Sequence, residues 1–201
     1  VEAVAVTDAR FHLSGFDGNI RKAAAIYPDL RELPIRKDDN GNLILDAGAL
    51  QKGEEHAFLV EVVTSGDGST SRKKLCDVTV SYHMHGEENH SEAKSSVIEQ
   101  TDDESLLNKP GHDQVEKYKA MYAAFKQTRF AADNVRAGGD VKKTKVLLES
   151  AAKTTRRLGM TKQTKLLNDM AQNLDGSGTL SENQLAELST ASRKTKVLKA
   201  S

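Results

Sequence analysis

The chain has 201 residues with 29 Lys/Arg and 29 Asp/Glu, so its formal charge is zero. Apolar residues make up 37% and aromatics 4%, which sets the expectation of a thin, mostly aliphatic core. No apolar run approaches the ~20 residues of a membrane-spanning helix, and a single cysteine, Cys76, excludes an internal disulfide and fits a reducing, cytoplasmic setting.

The zero charge hides a division. Residues 1–105 carry 11 Lys/Arg against 20 Asp/Glu, and residues 106–201 carry 18 against 9. The first half reads as β. Residues 1–13 alternate in two short stretches, and Asp38-Asp39-Asn40-Gly41-Asn42 is a turn cluster leading into Leu43–Asp46. His56–Thr64 puts Phe58, Val60 and Val62 on one face. Leu75–Met84 puts Cys76, Val78, Val80, Tyr82 and Met84 on one face and Asp77, Thr79 and Ser81 on the other, as a half-buried antiparallel strand does. A further run lies at Lys94–Gln100, while 86–92 and 101–105 read as loop and linker. Short strands at this spacing predict a β-sandwich over 1–105.

From Asp113 the period changes to that of a helix, with Val115, Tyr118, Tyr122 and Phe125 on one stripe. Gly138-Gly139 ends that helix and Asp140 caps the next. The second helix has Thr144, Leu147 or Leu148, Ala151, Thr155 and Leu158 inside, and Gly159 stops it. Thr161 is placed to cap a third helix carrying Leu166, Leu167 and Met170, and Ser181 with Gln184 forms a capping box for a fourth. Four short helices predict a small bundle over 106–201, and the chain as a whole reads as α+β.

Candidate sites are few. Asn173–Gln184 resembles a calcium-binding EF-hand loop with Asp175, Ser177 and Thr179 at ligand positions, but Asn173 and Gln184 stand where the first Asp and the bidentate Glu belong. The bland reading is a Gly-rich turn before a capped helix. Asp67-Gly68-Ser69-Thr70-Ser71 matches a metal-ion-dependent adhesion motif in the setting of a hairpin loop rather than a strand-to-helix turn. His83 and His85 sit two apart at a strand end, a spacing that suits zinc, with only His90 and Glu87 nearby to complete a site. No metal or cofactor is therefore expected. Lys142–Lys165 holds eight Lys/Arg against Glu149 alone. Lys142, Lys143, Lys145, Arg156 and Arg157 form the core of this basic stretch, which suits phosphates or an acidic partner. No aromatic interleaves it, so an ordinary solvated face is the competing reading. Thr190 and Thr195 stand in a tail suited to phosphorylation and phosphopeptide recognition. Cys76 lies mid-strand on the apolar face, and no nucleophile elbow, phosphate loop or dinucleotide glycine pattern appears. An enzyme is not expected.

A series of ordered stretches carries a family resemblance. Ile26-Tyr27-Pro28-Asp29-Leu30 is similar to a YPEL-like run, and Leu45–Glu55 to an LGDL-x-x-GEE run followed by a strand like Phe58–Val63. Val78–Tyr82 is similar to a strand ending in V-x-Y, Ala131–Gly159 to an A-x-x-x-x-x-G-D…A…LL…A…LG pattern, and Leu180–Thr195 to a closing LS…R-K-T run. Together they resemble the segment that follows the von Willebrand factor A domain in a group of bacterial and archaeal proteins. The resemblance implies a β-sandwich with a helical tail and an A domain outside this chain, in keeping with a sequence that starts at Val1 without Met. It also implies protein–protein contact, including contact with that A domain, and no catalysis. Nucleic acid bound by the basic half and weak calcium binding at 173–184 are the alternatives.

Overall fold

A computed structural model describes residues 4–16, 18–65, 71–101, 103–107 and 112–194. Among the described residues nine strands come first: β1 (Val4–Ser14), β2 (Asn19–Tyr27), β3 (Arg31–Glu32), β4 (Ile35–Lys37), β5 (Leu43–Gln51), β6 (Ala57–Val63), β7 (Ser71–Met84), β8 (Glu87–His90) and β9 (Lys94–Gln100). Helices α1 (Glu104–Leu107), α2 (Asp113–Arg136), α3 (Val141–Arg157), α4 (Thr161–Ser177) and α5 (Glu182–Arg193) follow. The fold is thus mixed, with strands first and helices after. The chain forms two compact units, one taking in Val1–Ala25 and Glu32–Pro110, the other Ile26–Arg31 and Gly111–Ser201. The six residues Ile26–Arg31 thus group with the helices.

The first unit holds a six-stranded sheet in the order β4-β5-β1-β7-β8, with β9 also on β7, and a three-stranded sheet in the order β3-β2-β6. In the larger sheet the β1–β5, β1–β7, β4–β5, β7–β8 and β7–β9 pairs all run antiparallel. Both sheets feed one core of Leu13, Ala23, Ala25, Leu33, Leu43, Leu45, Leu75 and Cys76. β2 contributes Ala23 and Ala25 with Ile20 packed against them, and much of the bulk comes from Phe11 and Phe58, whose rings meet edge to face at 4.7 Å between centroids. The β4–β5 hairpin turns where expected. Asp38 Oδ1 accepts the backbone N–H groups of Asn40 and Asn42, Oδ2 accepts from Asn42 Nδ2, and Gly41 takes φ +80°. The Asn42 side-chain hydrogen bond is the main cause holding the Asp38 carboxyl below its ordinary pKa.

Four features differ from the sequence reading. β5 runs on to Gln51 instead of ending near Asp46, with Leu43, Leu45 and Ala47 buried in alternation. β2 lies over Asn19–Tyr27, where no strand is expected. Part of the polar 86–92 stretch is β8, paired with the end of β7. Ser81 is also buried despite its polar face, since its Oγ is 2.7 Å from His12 Nε2.

Gly18 takes φ +149°, and a Cβ there would sit 2.6 Å from the Val63 carbonyl oxygen, which belongs to rigid backbone. Gly18→Ala is therefore expected to cost about 1–3 kcal/mol through strain and displacement of the β6 end. A urea denaturation midpoint equal to wild type would contradict this.

The second unit is built on a core of Ala124, Ala131, Leu148, Ala151, Leu167, Met170, Leu174, Leu180, Leu185, Leu188 and their neighbours. Its joints follow the sequence signals closely. Gly138 and Gly159 take positive φ at the ends of α2 and α3, and the Asp140 side chain caps α3 through the N–H groups of Lys142 and Lys143. Asn134 Nδ2 ties the α2–α3 turn by donating to Asp140 O at 2.9 Å and to Thr144 Oγ1 at 2.6 Å. Thr161 is not the cap of α4. Met160 precedes the helix without a side-chain cap, and Thr161 is its first residue. The segment 26–31 joins this unit at the end of α5. The Leu30 N–H donates to Arg193 O at 2.8 Å, and Asp29 makes an antiparallel bridge with Lys194.

Candidate interaction surfaces

α3 carries the densest cationic surface. A helix turns about 100° per residue, so residues 142, 146, 149, 153 and 157 share its outward side, opposite the buried Thr144, Leu148, Ala151 and Thr155. Lys142, Val146, Glu149, Lys153 and Arg157 are all exposed there, with Lys143 and Arg156 exposed at the flanks. Lys145 turns partly inward and pairs with Glu149 at 3.8 Å. The structure thus groups the predicted Lys142, Lys143, Arg156 and Arg157 on one helix and sets Lys145 at the edge of their stripe. Lys162 and Lys165 add exposed charge on α4. Neither α3 nor α4 has an acidic residue in its first turn. Cations at the positive end of a helix dipole weaken the helix, so Lys142 and Lys143 are not placed to stabilise α3. Arg156 and Arg157, in the last turn, are.

Two concave features belong to the same unit. A shallow depression beside Arg157 is lined by Glu116, Lys117, Lys119, Ala120, Ala123 and Leu158. An apolar crevice is walled by Leu30, Met121, Phe125, Met160, Leu167 and Leu188. Gln163 reaches into this crevice. It is 7% exposed, its Nε2 donates to Lys194 O at 3.1 Å, and its Oε1 has no hydrogen-bond partner. The sequence offered no sign of the crevice, because Leu30 lies about 90 residues before the helices that complete it.

The EF-hand-like stretch takes a different conformation from a calcium loop. α4 continues to Ser177, so Asn173, Asp175 and Ser177 are helical, and Gly178 ends the helix at φ +69°. Thr179 lies in the short joint to α5. Gln184, at the position of the bidentate acid, is committed to the capping box: Ser181 Oγ accepts from the Gln184 N–H and Gln184 Oε1 accepts from the Ser181 N–H. The signal for the helical extension was present, since Leu167, Met170, Ala171 and Leu174 continue one stripe. Ser181→Ala is expected to cost about 1 kcal/mol by losing that cap. Thermal denaturation with no fall in midpoint would refute it.

His83 and His85 are separated by the hairpin. His83 is on β7, beside Asp8 with Nδ1 3.7 Å from its Oδ2, whereas His85 is in the turn at φ +56°. They therefore do not share a strand face. Among the described residues, no three His, Cys, Asp or Glu side chains gather as a metal centre would require. Asp67–Thr70 lies outside the described residues, as does Thr195. Thr190 is exposed on α5, its hydroxyl donating to Ala186 O at 3.0 Å.

Cys76 is buried in the sheet core, and burial raises its thiol pKa, with Asp77 adding to the rise. A thiol-specific disulfide reagent is expected to react with it only on unfolding. Stoichiometric reaction within seconds in native buffer would contradict this. Asp77 itself is held low, first by its hydrogen bond from Lys74 and then by that from Ser95.

No helix among the described residues is long and apolar enough to cross a membrane. The mixed α+β fold with antiparallel pairing defines the class, and the comparisons refine it. No protein-family model and no curated protein matches the chain. A solved structure of von Willebrand factor type A from Catenulispora acidiphila is similar to it, with a TM-score of 0.74 and 18% identity over 96% of this chain and 47% of that one. The chain spans about half the length of that protein, and it shares its fold.

Proposed function

We propose that the chain is a non-enzymatic protein–protein interaction module that accompanies a von Willebrand factor A domain. In this reading it is a β-sandwich over 1–105 with a helical bundle over 106–201, and its natural partners include the A domain itself. The observation that carries the proposal is the structural likeness over nearly the whole chain to part of a von Willebrand factor type A protein. The antiparallel pairing of the larger sheet supports assigning the chain to the part outside the A domain, because an A domain is built on a doubly wound, mostly parallel sheet. The expected setting is cytoplasmic, without a cofactor.

The test is calorimetric titration of the chain with the A domain encoded by the same gene. Saturable heat is expected. No binding at millimolar protein, together with turnover of a small-molecule substrate by the chain, would overturn the proposal.

A second reading, nucleic acid on the basic helices, is favoured by the exposed cations of α3 and α4. Glu149 in the middle of the stripe and Glu116 in the adjoining depression count against it, since both would face a phosphate backbone. Binding of a short duplex that weakens linearly with the logarithm of salt would favour it. Weak calcium binding at Asp175 and Thr179 remains testable by the heat evolved with millimolar calcium. The helical backbone through Ser177 counts against it.

A further inference from the structure

We propose that the chain binds a second copy of itself, the basic outward stripe of α3 on one copy taking the acidic end of the six-stranded sheet on the other. The proposal deepens the reading of the chain as an interaction module by naming one partner and the surface that receives it.

The basic member of the pair is already described. At its centre Val146 is 63% exposed, a β-branched side chain on a solvated helix face. Lys142, Lys153 and Arg157 lie along the same line, and Glu149 among them pairs with Lys145 at 3.8 Å. Such a face wants an apolar contact ringed by carboxylates. It does not suit a phosphate backbone, which would leave Val146 uncovered.

The first unit presents the complement. The register pairs Val4 with Gln51, Thr7 with His83 and Met84 with Glu87. The start of β1, the end of β5, the end of β7 and the start of β8 are therefore at one end of the sheet. That end carries exposed Asp8, Glu55, Glu87 and Glu88 against exposed Lys52, with His83 Nδ1 3.7 Å from Asp8 and His90 Nε2 3.8 Å from Glu88. Met84, 40% exposed, stands among them as the apolar counterpart of Val146. Asp8 and His85 are the only non-glycine residues at positive φ among those described, and both belong to this end.

Each patch is small, so the complex is expected to be weak and rapidly reversible. Exposed charges contribute little singly and are screened by salt, whereas opposed fields of this kind set specificity and salt dependence. The contact joins two different patches, so its geometry is heterologous unless two copies exchange it reciprocally.

The test is sedimentation velocity of the whole chain over a concentration series. At about 0.01 M ionic strength, where the Debye length is about 30 Å, the weight-average coefficient should rise with protein concentration. At about 1 M, where it is about 3 Å, the rise should vanish. Lys153→Glu with Arg157→Glu, and separately Glu87→Lys with Glu88→Lys, should each sediment as monomer. Both pairs are exposed, so unchanged circular dichroism would confirm that the folds survive. Mixing the two charge-reversed proteins should restore association, because each then presents the other's missing sign. A monomer at all concentrations in low salt would overturn the proposal, as would association indifferent to salt or a mixture that stays monomeric. Wild type that stays monomeric in low salt yet binds duplex DNA tightly would overturn it in favour of phosphate recognition. Any of these failures leaves the calorimetric result with the A domain untouched, so the two proposals fall separately.

Discussion

Leu30→Ala is expected to destabilise the helical unit by about 2–5 kcal/mol, although Leu30 belongs to the first, β-rich half of the sequence. Its side chain is 1% exposed and walls the crevice with Phe125, Met160 and Leu188. Its N–H donates to Arg193 O, and the neighbouring Asp29 bridges to Lys194. Truncation removes apolar contacts at a place where α2, α4 and α5 all meet the segment, so the surroundings can collapse only partly. The measurement is helical circular dichroism against urea. The helical transition should move to lower urea, and an unchanged midpoint would show that the 26–31 segment is an ornament on a self-sufficient helical unit.

Leu148→Ala should cost a similar amount, about 2–5 kcal/mol, and Leu147→Ala clearly less. The sequence left Leu147 and Leu148 as alternatives for the inner stripe of α3. The structure places Leu148 fully inside, at 0% exposure, among Ala151, Ala152 and the apolar residues of α4, while Leu147 is only partly buried at the edge of that core. The core here is rich in alanine, with Ala124, Ala131, Ala132, Ala151, Ala152 and Ala171 all buried. Few large side chains are available to fill a vacancy, which puts Leu148 toward the severe end of the range. Equal urea midpoints for the two variants would mean that α3 is rotated from the position described.

Much of the architecture was legible because local signals agree with one another. The change from period 2 to period 3.6, Asp140 as a cap, the glycines after α2 and α3, and the Ser181–Gln184 box each express backbone chemistry that depends on near neighbours. Other elements were hidden for physical reasons. β2 reads Asn19-Ile20-Arg21-Lys22-Ala23-Ala24-Ala25-Ile26-Tyr27, in which three alanines favour a helix, and only its burial overrides that propensity. β8 is entirely polar and exists through pairing with β7. Of the candidate site, the cations of α3 could be read directly, since charge needs no tertiary context. The exposed Val146 at their centre and the orphaned oxygen of Gln163 could not, because both are defined by what lies, or fails to lie, beside them.

The membership of Ile26–Arg31 in the helical unit also has a consequence for birth on the ribosome. A chain is made from its N-terminus, at about 5–20 residues per second. Leu30 emerges long before α2, and the carbonyl that receives its N–H belongs to Arg193, near the end of the described chain. Strands β2 and β3, on either side of Leu30, have therefore both emerged while the residue between them still lacks its own surroundings. Synthesis passes through a stage in which Leu30 stands uncovered, and that stage lasts until α5 has left the exit tunnel.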